Sequence, residues 1–154
     1  MKRDALPPAE APARAAQTAG LDAATVLRRH GCRATKPRVA VMQAILDAEH
    51  PVGAAELAER AARQLAGIHE ATVYRTIATL SELGIVTHVH AGHGPSLVKL
   101  AGDASVLAVC RRCGRIERVP QELVDELVGH LAEQRGFALE PGHFALEGIC
   151  ADCA

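Results

Sequence analysis

Residues 69–83 of the chain, HEATVYRTIATLSEL, decide the fold, because their apolar positions recur with the period of a helix. Val73, Ile77 and Leu80 fall on one side, which is predicted to be buried. Another side carries one arginine, small hydroxyls and no acid, which suits a helix that enters the major groove of DNA. The residues predicted on or beside that side are Thr72, Tyr74, Arg75, Thr76 and Thr79. Taken alone, the helix fits an ordinary solvated face equally well.

The residues before this helix predict three shorter helices joined by tight turns. The first begins at Asp22 and stops before Gly31, and Thr35 can cap the second. The third contains Leu57 and ends before Gly67. Short helices in this arrangement are typical of a helix-turn-helix core.

The residues after the helix predict a β-hairpin. Residues 85–89 and 97–100 read as two strands, and residues 92–95 supply the turn between them. A hairpin that follows a helix-turn-helix core is a wing. The first half of the chain is therefore predicted to be a winged helix.

Charge is distributed unevenly along the chain, although the formal net charge is only −1. A basic run between Leu21 and Leu46 faces a single early acid, Asp22, which suits contacts with DNA phosphates. The predicted DNA contacts in this run are Arg33, Thr35, Lys36 and Arg38. Together, the wing and the basic run favour double-stranded DNA as the partner.

The second half predicts a small mixed unit of strands and one helix. Residues 106–109, 116–119 and 144–147 read as strands. Leu123, Leu127 and Leu131 recur at helical spacing between the second and third of them. The predicted fold class is α+β, with a winged helix followed by this unit.

Composition predicts where these units begin and end. Residues 1–18 are rich in Ala and Pro without an apolar period, so they are expected to be a disordered tail. The winged helix is assigned to 19–100, a hinge to 101–104, and the second unit to 105–154. The start lacks an apolar signal segment, and no run of eighteen apolar residues occurs. We therefore expect a cytoplasmic protein that does not cross a membrane.

Four of the five cysteines form two Cys-x-x-Cys pairs, Cys110 with Cys113 and Cys150 with Cys153. Each pair can present two thiolates from one tight turn, as tetrahedral zinc coordination requires. In a reducing compartment such pairs are more typical of metal ligands than of disulfides. Four thiolates leave no open position, so the predicted zinc ion is structural. Inert surface thiols and a redox-active dithiol are the alternatives.

These motifs together resemble the ferric uptake regulator (Fur) superfamily over residues 22–153. The resemblance is carried by ATVYR at 71–75, GIV at 84–86, the two cysteine pairs, and RATKPR at 33–38. It implies a homodimeric, metal-responsive repressor that binds a near-palindromic operator, with residues 105–154 as the dimerisation domain. It also implies that Tyr74 and Arg75 contact DNA and that Arg33 reaches the backbone or minor groove. Residues near the C-terminus loosely resemble the zinc-uptake branch of the superfamily.

The sequence departs from the family pattern where the regulatory metal is usually bound. Residues 103–109 replace a histidine-rich run, Lys99 stands in place of an acidic ligand, and Ala101 stands where zinc-sensing relatives have a cysteine. We expect a relocated, histidine-rich sensory site for a second transition metal, Zn²⁺, Fe²⁺ or Ni²⁺. Its candidate ligands are His88, His90, His93, Asp103, His50, Glu70, Glu117 and His143. A solvated wing whose histidines touch phosphate is the alternative.

Other functions remain possible at this point. A regulator that has lost metal sensing, or that responds to oxidant, would keep every motif above. A zinc-ribbon interaction protein would keep the cysteines but leave the Arg75 face unused. Cys32 is either packed near the second helix or acts as an oxidant sensor or ligand. We expect no enzyme activity, because Cys32 beside His30 is the only candidate nucleophile pair and lacks oxyanion donors.

Overall fold

The computed structural model of this protein describes residues 20, 22–90, 96–143 and 145–154, with the side chain of His143 outside that description. The predicted tail at 1–18, the wing turn at 92–95 and the start of the last predicted strand at residue 144 lie outside the described residues. Within the described part, the fold is a mixture of helices and strands in the predicted order.

Among the described residues, the first part of the chain contains four helices. They are α1 (Ala23–Arg29), α2 (Lys36–Leu46), α3 (Ala54–Gln64) and α4 (Glu70–Glu82). The Asp22 carboxylate caps α1 by accepting the Thr25 N–H at 3.0 Å, and Gly31 leaves the helix with a φ of 71° that favours glycine. Thr35 occupies the predicted N-cap of α2, although its side chain makes no capping hydrogen bond.

The wing is a three-stranded antiparallel sheet in the order β1-β3-β2, formed by β1 (Val52–Gly53), β2 (Val86–Val89) and β3 (Leu97–Leu100). β2 and β3 are the predicted hairpin. β1 was not predicted, because two residues between helices carry no periodicity and pair only with a strand that lies far along the chain.

The wing sheet has two buried faces. In the β2–β3 register, Val86 lies opposite Leu100 and His88 opposite Val98, so these residues share one face. Val86, Val98 and Leu100 belong to the apolar core of the four helices. The other face carries the pairs Thr87–Lys99 and Val89–Leu97. The wing is therefore a middle layer rather than a free hairpin.

The second part of the chain contains β4 (Leu107–Cys110), β5 (Ile116–Arg118), α5 (Gln121–Arg135) and β6 (Ala145–Gly148), with 3₁₀ turns at Pro141–His143 and Ala151–Cys153. Its sheet has the order β5-β4-β6, in which β4 pairs antiparallel with β5 and parallel with β6. Leu107 of β4 packs in one cluster with Val89 and Leu97 of the wing. The outer face of the wing is thus buried against this second sheet.

Candidate metal centre and nucleic-acid interface

The four paired cysteines meet at one end of the second sheet. Cys110 is the last residue of β4, Cys113 lies in the turn that follows, and Cys150 and Cys153 follow β6. Gly114 has a φ of 75° and its N–H donates to the Cys110 carbonyl at 2.8 Å, which closes the turn around the first pair. Because β4 and β6 are parallel neighbours, both pairs emerge at the same sheet edge.

The geometry of this cluster fits a tetrahedral zinc ion. The four sulfurs all lie within 4.8 Å of one another. Zinc–sulfur bonds of about 2.3 Å place tetrahedral sulfurs about 3.8 Å apart. The Sγ atoms of Cys113 and Cys150 are 3.7 Å apart. Zinc bound here would have four thiolates and no exchangeable position, which makes it a structural ion.

The thiols of the cluster differ in how readily they lose a proton. The Cys150 N–H donates to the Cys110 sulfur at 3.4 Å, and this and neighbouring backbone donors lower the pKa of Cys110 to about 6. Contacts with the Cys113 and Cys150 sulfurs raise the pKa of Cys153 to about 12. Several thiolates so close together repel one another, and a divalent ion removes that repulsion.

Two arginines that the sequence analysis did not single out join the cysteine pairs. Arg112 donates to the Cys153 carbonyl. Arg115 forms ion pairs of 2.7 Å with both Asp152 and Glu117, and these acids raise its pKa. Both arginines lie within or beside the first pair and reach the second across about forty residues of chain. Their roles depend on a contact that only folding creates.

The exposed side of α4 is the candidate DNA-reading surface. Tyr74 is 48% exposed, Arg75 is exposed, and Thr72 and Thr79 are half-buried. The prediction that Thr76 shares this surface is wrong: it is 5% exposed, and its hydroxyl donates to the Thr72 carbonyl at 2.8 Å. Thr76 follows Val73 by three residues and precedes Leu80 by four, so the buried arc of the helix includes it.

The basic run lies beside the start of this helix. Arg33 and Lys36 are exposed, while Thr35 and Arg38 are half-buried. A surface cavity of about 280 Å³ is lined by Lys36 of α2 and by Thr72 of α4. The structure therefore brings the beginning of α2 and the beginning of α4 to one surface, which is where a phosphate backbone beside a bound helix would run.

The candidates for the sensory site are spread over the molecule. His93 and the side chain of His143 lie outside the described residues. His88 is half-buried with Nδ1 3.3 Å from the Ser96 hydroxyl, and His90 is exposed. Glu70 begins α4, whereas Glu117 pairs with Arg115 at the cysteine cluster. Among described residues, only the four cysteines form a group of three or more ligands close enough to share an ion.

The hinge does not suit a divalent ion. His50 and Asp103 line a cavity of about 70 Å³ between the two parts of the chain, but Lys99 and Arg118 line it too. Arg118 already pairs with the Asp103 carboxylate at 3.5 Å. A second metal at this point would meet two cations and one shared carboxylate, so Asp103 and His50 do not fit a metal site here.

Cys32 is buried, at 5% exposure, within the apolar core of the helices. Its sulfur lies 4.0 Å from the Arg33 carbonyl. This placement agrees with the packed alternative for the thiol.

A comparison with protein families identifies the chain. A model of the ferric uptake regulator family matches residues 29–146. The chain belongs to the ferric uptake regulator family. The match covers α2 to α4, the wing and most of the second sheet, so family membership rests on both parts of the molecule and confirms the resemblance drawn from the sequence motifs.

Individual relatives agree with this assignment. The chain is 27% identical over 129 residues to the ferric uptake regulation protein of Legionella pneumophila, covering 82% of this chain and 95% of that protein. It is also 27% identical over 124 residues to the zinc uptake regulation protein of Mycobacterium tuberculosis, covering 80% and 95%. Equal identity to an iron-named and a zinc-named relative leaves the branch within the family unassigned.

The fold agrees with a solved structure of the family. The ferric uptake regulator of Vibrio cholerae superposes with a TM-score of 0.69 at 25% identity, covering 82% of this chain and 98% of that one. The predicted fold class is therefore confirmed. In the part of the chain that the structure describes, no helix is long and apolar enough to cross a membrane.

Proposed function

We propose that this protein is a transcriptional repressor that binds a near-palindromic DNA operator as a homodimer, with α4 as the recognition helix. The observation that carries this proposal is the side of α4 on which Tyr74 and Arg75 are exposed and Thr72 and Thr79 are half-buried. Arg75 can donate two hydrogen bonds to guanine in the major groove. Such a repressor acts on cytoplasmic DNA, and its relatives are named as regulators rather than enzymes.

Exposed apolar side chains in the second part support the homodimer. Leu123 and Leu127 of α5 are 56% and 43% exposed, and Phe137 after that helix is 57% exposed. Leu146 of β6 and Ile149 are exposed as well, and both line a groove of about 310 Å³. Apolar surface of this extent on one part of a small chain is typical of a protein interface. A second copy of the chain is the occupant that we propose.

In this proposal the zinc ion at the four cysteines is structural and holds the dimer platform together. Cys150 and Cys153 would join the residues after β6 to the end of β4 through the ion, in addition to the β4–β6 pairing and the contacts of the two arginines. The dimer in turn places two α4 helices at successive major grooves, about 34 Å apart, which explains why a near-palindromic operator is expected.

We further propose that a second transition metal regulates DNA binding through the wing histidines. Side chains two residues apart on a strand point to the same side and lie about 6–7 Å apart, so we propose that the imidazoles of His88 and His90 share an ion. His93, outside the described residues, is the candidate third ligand. The relatives named for iron and zinc uptake support a metal-responsive role. Glu70 and Glu117 are not included, since they lie at other elements.

The alternative is a family member that senses no second metal. The two cations at the hinge favour it, because they occupy the place where Asp103 and His50 could otherwise receive an ion. Metal analysis distinguishes the two proposals. Two metal ions per chain, one of them removed by mild chelation and lost in a His88→Ala, His90→Ala variant, would support the sensor. One tightly held zinc ion, with DNA binding unchanged by chelation, would support the alternative.

Selection of DNA tests the main proposal directly. The zinc-loaded protein is mixed with a pool of random duplexes, and the bound duplexes are recovered and sequenced. The affinity of the protein for the recovered duplex is then measured by fluorescence anisotropy at fixed salt. We expect a near-palindrome, and Arg75→Ala should weaken its binding by about ten- to a hundredfold. Arg135→Ala removes an arginine from the far end of α5 and serves as the matched control. Recovery of no enriched sequence, or equal loss in both variants, would contradict the proposal.

A further inference from the structure

A lysine is buried where the wing meets the second part of the chain. Lys99 of β3 is only 3% exposed, although lysine is almost never fully buried without a partner. It belongs to the outer face of the wing, on which Val89 and Leu97 pack against the second sheet. We call Lys99, Asp103, Ser105 and Arg118 the junction cluster. The cost of desolvating the Lys99 ammonium calls for a compensating role.

Lys99 ties the wing to the connector, residues 101–106 between β3 and β4. Its Nζ donates to the Ser105 carbonyl at 3.0 Å. Burial lowers the pKa of Lys99, while the Asp103 carboxylate acts in the opposite direction. Asp103 accepts the Ser105 N–H at 2.9 Å through Oδ1. Lys99 and Asp103 therefore hold the same residue of the connector from its carbonyl and from its N–H.

Arg118 links the second sheet and the loop after α2 to the junction cluster. It lies on β5, and its Nη2 approaches the Asp103 carboxylate at 3.5 Å and donates to the Glu49 carbonyl at 3.4 Å. Glu49 follows α2, sixty-nine residues earlier in the chain. A single guanidinium thus contacts the loop after α2 and the connector from the edge of the second sheet.

We propose that Lys99 and Arg118 are positioning residues that fix the angle between the winged helix and the second sheet, so that α4 is held ready for DNA without a metal ion at the hinge. The proposal rests on the proposed function, because the angle matters only where two helices must match two half-sites. Fixing it before binding removes an ordering cost from the DNA complex.

Residual dipolar couplings of the zinc-loaded full chain, measured without DNA, test this angle. We expect one alignment tensor for both parts of the wild-type chain. In a Lys99→Met, Arg118→Gln double variant, couplings of residues 107–153 should shrink relative to those of residues 23–86. The control is Arg135→Gln, which removes one positive charge outside the junction cluster. Separate tensors in the wild type, or one tensor in the double variant, would overturn the proposal.

DNA binding supplies a second readout that simple destabilisation would not produce. Methionine keeps the length of lysine without its charge, so Lys99→Met should preserve the thermal midpoint while weakening binding to the selected duplex by about tenfold. Arg118 is about half exposed, so Arg118→Gln tests the cluster even if Lys99→Met does not fold. Suppose that the Arg118→Gln variant folds and its couplings show that the two parts move relative to each other. Unchanged affinity for DNA would then refute the link between the junction cluster and DNA binding. If the wild type itself selects no DNA, the proposed function fails, whereas the couplings still test the junction.

Discussion

The two parts of the molecule are stabilised in different ways. The four helices and the inner face of the wing enclose a large apolar core, in which Leu27, Met42, Leu57 and Leu80 are fully buried. The second part has short strands, a small apolar cluster shared with the wing, and large apolar side chains left exposed. A core of the first kind supports itself through burial, and we propose that the second part depends on a metal ion and a partner surface.

Zinc removal should produce the largest difference in stability between the two parts. In a Cys113→Ser variant, or after chelation, we expect amide hydrogen exchange in β4 and β6 to accelerate by at least about 100-fold, because structural zinc binds small sites with free energies on the order of 10 kcal/mol. Helices α1 to α4 should remain protected. Cys32→Ala, which removes a thiol outside the cluster, should keep its zinc. Equal loss of protection in both parts would show that they fold as one unit.

Truncation of apolar side chains sharpens the same contrast. Leu80→Ala removes a fully buried side chain of α4 and should lower the free energy of unfolding by about 2–5 kcal/mol. Leu127→Ala removes a side chain that is 43% exposed, so it should change the unfolding of a diluted monomer little but weaken self-association. Urea unfolding and analytical ultracentrifugation measure the two effects. A monomeric wild type at high concentration would contradict the proposed use of this surface.

The zinc cluster should also respond to pH in a defined direction. Zinc requires thiolates, and the pKa of Cys153, about 12, means that this thiol must lose a proton on binding near neutral pH. Apparent zinc affinity should therefore rise by at least about tenfold per pH unit there. Below about pH 6 the Cys110 thiol is protonated as well, so the dependence should steepen. Competition with a chromophoric chelator across this range measures the slope, and a flat profile would contradict thiolate ligation.

The arginines around the cysteine cluster should have the smallest effect. Arg115→Gln breaks two solvent-exposed ion pairs, and exposed pairs are weakened by water and salt. We expect zinc transfer to a chelator to be about two- to fivefold faster in this variant, with the difference decreasing at high salt. Arg111→Gln, in the same turn, is the control. If Arg115→Gln loses zinc as readily as a variant without a cysteine ligand, Arg115 has a role beyond these ion pairs.

Features encoded within a few residues could be predicted from the sequence. The helix around Val73, Ile77 and Leu80, the wing hairpin and the two cysteine pairs each depend on local periodicity or spacing. Thr76 was misplaced because a helical wheel shows the angle of a residue but not how wide the buried arc is. The width depends on how closely α2 and α3 approach α4, which no segment specifies alone.

The sequence by itself determined the winged helix, the two Cys-x-x-Cys pairs and the family, since each depends on residues that are close together along the chain. Only the tertiary structure decided that the wing is buried on both faces, that Arg112 and Arg115 bridge the cysteine pairs, and that Lys99 lies buried at the junction. The physical reason is distance along the chain. Arg118 meets Glu49 across sixty-nine residues, and such a contact exists only after burial of apolar surface has brought both segments together.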